Sequence, residues 1–450
     1  MRLAAVGALL LAGAALSLAC RRDRGAPPPA AKASGARAGP ATTAGAVDAA
    51  GQEALAFMPP GGAGDADRAV ERAQAAVRRS PRLAAAWVAL GQRWIQKARN
   101  ATDPGFYLNA DACASRALAL EPDAPGALAV RAATLLDAHR FEEARAAAAD
   151  ALRRTPDDLV ALGIRADALL ELGRYEDAAA DTDRLMKLKP NLPAYARASY
   201  LLWLRGRVGP ALEAARRAID AAPAGDPEPR AWALTQAALI FWHRGDLEGA
   251  DAGLDLALAA LPGFAPALVG KGRVALARGD ARPAVRHLEG AWRASPHAET
   301  AWLLADARAA AGDEAGAAEA RREVERLGRA GDRRVLALFL ATRGERPEEA
   351  LQLAEEERRA RPDLYSDDAV AWALYRTGRL AEARAASDRA LRLGTPDARL
   401  LYHAGAIRLA AGDREAGRTL VRRALALNPG FDATGAAEAT RLVRAAIARP

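Results

Sequence analysis

Gly173-Arg174-Tyr175-Glu176-Asp177-Ala178-Ala179-Ala180-Asp181-Thr182-Asp183-Arg184-Leu185-Met186-Lys187-Leu188-Lys189-Pro190 decides the fold. It reads as a turn, one helix and a stop. Gly173 suits the left-handed backbone that closes a preceding helix. Tyr175 wedges the turn, Ala178 and Leu185 share one helical face, and Pro190 cannot continue the helix. The same offsets hold Phe141, Ala144, Ala151 and Pro156 one period earlier. Later they hold Gly245, Ala250, Ala257 and Pro262, then Gly279, Ala284, Ala291 and Pro296, and finally Gly412, Gly417, Ala424 and Pro429. Pro122, Pro156 and Pro190 fall 34 residues apart, Pro262 and Pro296 do so again, and Pro223 follows Pro190 by 33. A fixed period of this length with a proline stop marks a helix-turn-helix array.

Working outward, Trp87, Leu90, Gly91 and Trp94 open the first full unit, which takes an insertion, Ala98 to Tyr107, before Ala110, Ala117 and Pro122. Ala69, Ala76 and Pro81 look like the second half of an earlier pair. Weaker units cover 299–327, 333–362 and 367–396. On these residues the chain resembles the tetratricopeptide repeat family, over roughly 85% of its length. The resemblance implies an all-α fold, a right-handed α-solenoid (superhelix) of about ten helix-turn-helix units. The array is expected over 65–430, with a weak joint near 328–332 and a capping helix within 431–450, at Ala436 to Ala448. Small residues such as Gly272 and Gly405 fall where two helices of a pair cross, facing Ala178, Ala284 and Ala350 at the matching positions of second helices. Gly173, Gly245, Gly279, Gly378 and Gly412 cap first helices.

Composition agrees. Aromatic residues make up only 5%, and the chain is rich in Ala, Leu and Arg, which favour helix over strand. The formal charge is +8, but 64 basic residues stand against 56 acidic ones, and the signs interleave, as in Arg140-Phe141-Glu142-Glu143-Ala144-Arg145. Nucleic-acid binders gather basic charge into a stripe, so no nucleic-acid role is expected. Nor is catalysis. His139, His243, His287, His297 and His403 are scattered over different units, without metal-ligand spacing. Gly270-Lys271-Gly272-Arg273-Val274-Ala275 fits a dinucleotide fingerprint, but it lacks the preceding strand that the fingerprint needs. No cofactor is implied.

The N-terminus reads as targeting. Met1-Arg2 precedes an apolar run, Leu3 to Leu18, short for a transmembrane helix and typical of a secretory segment, with an uncleaved anchor as the remaining alternative. It ends in Leu16-Ser17-Leu18-Ala19-Cys20, which resembles a bacterial lipoprotein signal with acylation at Cys20. Ser17 departs from that pattern, and Ser17-Leu18-Ala19 also suits an ordinary cleavage site. Residues 1–19 are thus expected as a signal peptide. Residues 20–64, rich in Ala, Gly and Pro, are expected as a flexible spacer. A lipid on Cys20 would tether the chain to a membrane of the cell envelope and leave Cys113 unpaired, as a buried apolar residue.

In this family first helices line the concave face. Placing the repeat phase on the chain puts Tyr200, Trp203, Trp232, Trp242 and His243 on or beside that face, and Trp302, Trp372, Tyr375 and Tyr402 on similar faces. Arg197, Arg273, Asp167 and Asp306 would form a polar rim. Trp and Tyr are favoured binding anchors, although large residues also fill irregular joints. Val88, Gln92, Ala133 and Asp167 depart from the family's carboxylate clamp. The sequence therefore points to an exported scaffold that binds a peptide or helix of another protein, with a polysaccharide or small ligand in the aromatic groove as the alternative. The oligomeric state stays open.

Overall fold

A computed structural model describes residues 48–101 and 103–447. The expected signal peptide, Cys20 and the spacer up to residue 47 lie outside the described residues. Among those described there are 23 helices and no strand.

Helix α1 (Ala49–Ala56) and helix α2 (Asp65–Arg79) come first. Ten helix pairs follow. They are α3 (Ala84–Ala101) with α4 (Phe106–Leu120), α5 (Pro125–Asp137) with α6 (Phe141–Arg154), and α7 (Leu159–Glu171) with α8 (Tyr175–Leu188). Then come α9 (Leu192–Leu204) with α10 (Val208–Asp220), α11 (Pro227–His243) with α12 (Leu247–Ala260), and α13 (Ala265–Arg278) with α14 (Ala281–Ala294). The last four are α15 (Ala298–Ala310) with α16 (Glu314–Ala330), α17 (Arg333–Arg343) with α18 (Pro347–Ala360), α19 (Leu364–Arg376) with α20 (Leu380–Ala390), and α21 (Ala398–Ala410) with α22 (Arg414–Leu427). Helix α23 (Gly435–Ile447) packs on the last pair.

Local chemistry draws these boundaries. The turn inside each of pairs two to ten holds a residue with positive φ: His139, Gly173, Gly206, Gly245, Gly279, Gly312, Gly344, Gly378 and Gly412, with Arg346 a second one in the turn of pair eight. His139, at φ 57°, fills the slot that glycine takes in the other eight. Asp158, Asn191, Asp246 and Asp397 cap helix starts by accepting from backbone N–H groups, which satisfies donors the helix leaves open. Helix pairs close tightly on small residues. A Cβ on Gly272 would come 2.5 Å from Leu288, and one on Gly405 would come 2.6 Å from Val421. Ala178, Ala284 and Ala350 are fully buried. The insertion after Trp94 mostly lengthens α3, which runs to Ala101.

Two boundaries differ from expectation. The spacer expected to reach residue 64 ends earlier, because α1 docks on the first pair. Asn109 Nδ2 donates to Leu55 O at 2.7 Å, while Gln74 Nε2 and Trp94 Nε1 each donate to Ala56 O at 3.1 Å. Three side chains thus satisfy the carbonyls that end α1. At the expected joint, 328–332, Gly328 is buried, where a Cβ would meet Leu336 at 2.6 Å, while residues 329–331 are exposed. Its glycine serves a close crossing between α16 and α17.

The array also closes on itself. Solenoid repeats ordinarily touch only their neighbours. Here the turn of pair three rests on Pro362, after pair eight; that of pair four rests on Gly394, after pair nine; that of pair five rests on Leu427, at the end of pair ten. Each contact joins units five apart. One buried cluster accordingly unites Leu169, Trp203 and Leu239 with Leu364, Trp372 and Tyr402.

Candidate functional site

The seam between successive turns is built from polar groups at helix ends. Leu364 N–H donates to the Tyr175 hydroxyl at 2.9 Å, Thr395 Oγ1 to Leu204 O at 2.6 Å, and Asn428 Nδ2 to Trp242 O at 2.7 Å. These three bonds span 189, 191 and 186 residues, a near-constant step that makes the closure systematic. Each contributes about 1 kcal/mol net. Charge reinforces them. Arg361 Nε lies 2.7 Å from Glu171 Oε2, and its guanidinium stands 4.8 Å from the Phe141 ring. Arg334 Nη1 donates to Asp363 Oδ2 at 3.0 Å. Burial pushes the Glu171 carboxyl up to about 7, against the pull of Arg361. Burial likewise raises Asp332, beside Arg334, to about 6.

Closure changes the setting of the predicted aromatic face. Trp203, Trp232, Trp242, His243, Arg273, Trp302, Trp372 and Tyr402 are all buried, and Tyr200 is half-buried. They pack on one another. Trp203 and His243 centroids are 4.8 Å apart, Trp372 stacks on His403 at 4.0 Å, and Tyr402 meets Phe431 at 5.5 Å. Trp302 meets Phe339 edge-on at 5.5 Å, while Arg399 lies over its ring at 5.7 Å. Tyr200, Trp203 and Trp232 line a cavity of only ≈ 30 Å³, room for about two waters. A second of the same size lies among Trp242, Arg273, Asp306 and Arg399. Neither holds a sugar ring or a peptide. The expected open groove of aromatics is therefore corrected: these residues fill the core made where the superhelix meets itself.

The expected rim is internal as well. Arg197 Nε and Nη2 donate to the two Asp167 oxygens at 2.8 and 2.7 Å, both groups buried. Arg273 pairs with Glu299. Lys271, in the glycine-flanked stretch that mimics a dinucleotide motif, is on helix α13 and holds Asp251 at 2.5 Å and Asp255 at 2.7 Å. Cys113 is fully buried, and burial pushes its thiol up beyond the ordinary range. Among the described residues no group of three or more His, Cys, Asp or Glu is placed to hold a metal, and no helix is long and apolar enough to cross a membrane.

Sequence reading missed a second constellation on the outer surface. Asp367 is buried and accepts from Arg358 Nε at 2.9 Å, Arg389 Nε at 3.0 Å and Arg392 Nη1 at 3.0 Å. Beside it, α18, α19 and α20 bound an open pocket of about 410 Å³. Its only signal in the sequence was the acidic pair Asp367-Asp368 near a helix start, which reads as ordinary capping.

The geometry defines the fold class: an all-α solenoid of helix-turn-helix units of tetratricopeptide type. No protein-family model matches the chain, and no curated protein matches it. Solved structures similar to parts of it include three tetratricopeptide-type or related helical proteins. PilW, a type IV pilus biogenesis factor, is 20% identical, with 45% of this chain and 92% of PilW covered and a TM-score of 0.38. A tetratricopeptide repeat protein from Parabacteroides merdae is 18% identical, with coverage of 53% and 93% and a TM-score of 0.40. Human IFIT1, seen as a dimer with PPP-AAAA, is 14% identical, with coverage of 84% and 91% and a TM-score of 0.48.

Proposed function

We propose that this protein is a protein-binding scaffold of the bacterial cell envelope, tethered through a lipid on Cys20 and serving the assembly of an envelope complex. The observation that carries the scaffold reading is the closure of the array. Contacts five units apart lock pairs three, four and five onto pairs eight, nine and ten, which makes a rigid frame, and its outer second helices present side chains in fixed register for a partner to read. Rigidity matters energetically, because a preorganised surface loses little further freedom on binding. The buried aromatics then serve the frame, and the partner docks on the outer surface. The polysaccharide alternative loses its support because the aromatics expected to line its groove are buried and border cavities of only ≈ 30 Å³.

Membrane fractionation followed by affinity purification tests both halves. The wild type should pellet with membranes, and Cys20→Ser should move to the soluble fraction. The same defined protein should co-purify with both in fixed stoichiometry. A Cys20→Ser variant that stays in the membrane overturns the lipid tether. A wild type that purifies from native membranes alone, after cross-linking in the cell, overturns the scaffold role.

A further inference from the structure

We propose that the basic pocket between the second helices of pairs eight and nine is the docking site for an acidic segment of a partner protein, a reading that rests on the scaffold role above. Arg358 and Arg359 lie on α18 and Arg389 on α20, and between them the pocket floor is formed by Val370 and Leu374 of α19. The volume of about 410 Å³ falls within the range of ~300–1,000 Å³ found for ligand clefts.

The charge balance points to an anionic occupant. Arg358, Arg389 and Arg392 share the single carboxylate of Asp367. Three guanidiniums on one carboxylate leave two positive charges in excess, with Arg358 and Arg389 in the pocket lining and Arg392 outside it, over the Tyr175 ring at 5.1 Å. Arg359 adds a third: it is exposed and makes no ion pair among the described residues. Glu382, on the rim, is engaged by Arg379 at 2.5 Å, so Glu355 alone among the lining carboxylates stands against the excess.

The geometry adds specificity. Arg358 and Arg389 each bond Asp367 through Nε. Their terminal Nη groups make no hydrogen bond to a described residue and are held in place by the buried carboxylate. Guanidinium forks fixed in this way match carboxylates. The apolar floor suits an aliphatic side chain beside the acidic ones. A recessed floor and the carboxylates of Glu355 and Glu382 on the rim disfavour a flat anionic bilayer, which would meet the rim before the arginines.

Fluorescence anisotropy on the purified full chain tests this. The probe is a fluorescein-labelled peptide of alternating glutamate and leucine, compared with its glutamine and leucine counterpart. The wild type should bind the acidic peptide and not the neutral one, with affinity falling steeply with salt, as unscreened charge requires. Arg359→Glu, at an exposed position outside the Asp367 cluster, should weaken binding about tenfold or more with an unchanged melting temperature. Arg389→Gln should weaken it too, and its circular dichroism reports whether the pair still folds. Equal binding of both peptides, equal binding by wild type and Arg359→Glu, or binding to anionic phospholipid vesicles that matches the peptide would each overturn the proposal. If a co-purifying partner is retained by Arg359→Glu, the scaffold role stands and this pocket is not its site. If no partner is found and the acidic peptide is ignored, both readings fall.

Discussion

Glu171 carries a carboxylate into the seam, where Arg361 is its near partner and Arg334 and Asp363 pair beside it. Its folded pKa of about 7 exceeds the ordinary 4.5, so between those values the folded chain holds a proton that the unfolded chain has released. Such a group favours folding most at the acid end of the window, and that contribution declines as pH rises through it. Glu171→Gln cannot ionise and removes the decline. Melting temperatures of variant and wild type should therefore diverge in the variant's favour as pH rises from about 4.5 to 7; a difference that stays constant with pH would contradict this. The sequence could not reveal this pair. The repeat identifies which residues cap and cross within a unit, such as Gly173 and Ala178, but the partner of Glu171 lies 190 positions away, at a distance fixed by superhelical pitch.

At the scale of the element, the helix pairs from 84 to 427 were legible because most boundaries are marked by local chemistry: a glycine at positive φ, a small residue at the crossing, a proline at the stop. Helix α1 was not. Its eight residues, Ala49–Ala56, have the composition of the spacer before them, and they fold because Gln74, Trp94 and Asn109 receive their last carbonyls. Asn109→Ala removes one of these donors and leaves Leu55 O without it, at a cost of about 1–2 kcal/mol. Limited proteolysis should then cut faster in the loop at 57–64, while cleavage within pairs three to ten is unchanged. An unaltered cutting rate at that loop would show that α1 does not depend on this bond. The aromatic residues were expected on an open inner face, and in the structure they are buried. A period of 34 fixes which side of each helix faces inward, and it does not fix how tightly the whole coil winds.

For the whole molecule, closure is the governing feature, with units five apart in contact. It buries Trp203, Trp302, Trp372 and Tyr402, and under the proposed scaffold role it leaves the outer surface to a partner. The turn glycines provide a matched test. Gly206, Gly245, Gly279 and Gly412 all have φ between 71° and 88°, so alanine at any of them carries a similar strain of roughly 1–2 kcal/mol. They differ in their neighbours. A Cβ on Gly206 would come 3.0 Å from Gly394 O and one on Gly245 2.8 Å from Leu427 O, whereas nothing lies within 4 Å of Gly279 or Gly412. The measurement is small-angle X-ray scattering of the wild type, Gly206→Ala/Gly245→Ala and Gly279→Ala/Gly412→Ala. With closure at the seam, only the first variant expands, with a longer maximum dimension at unchanged helical content, as its turns part there. Expansion of both variants alike, or a wild type already as extended as an open superhelix of ten pairs, would contradict it.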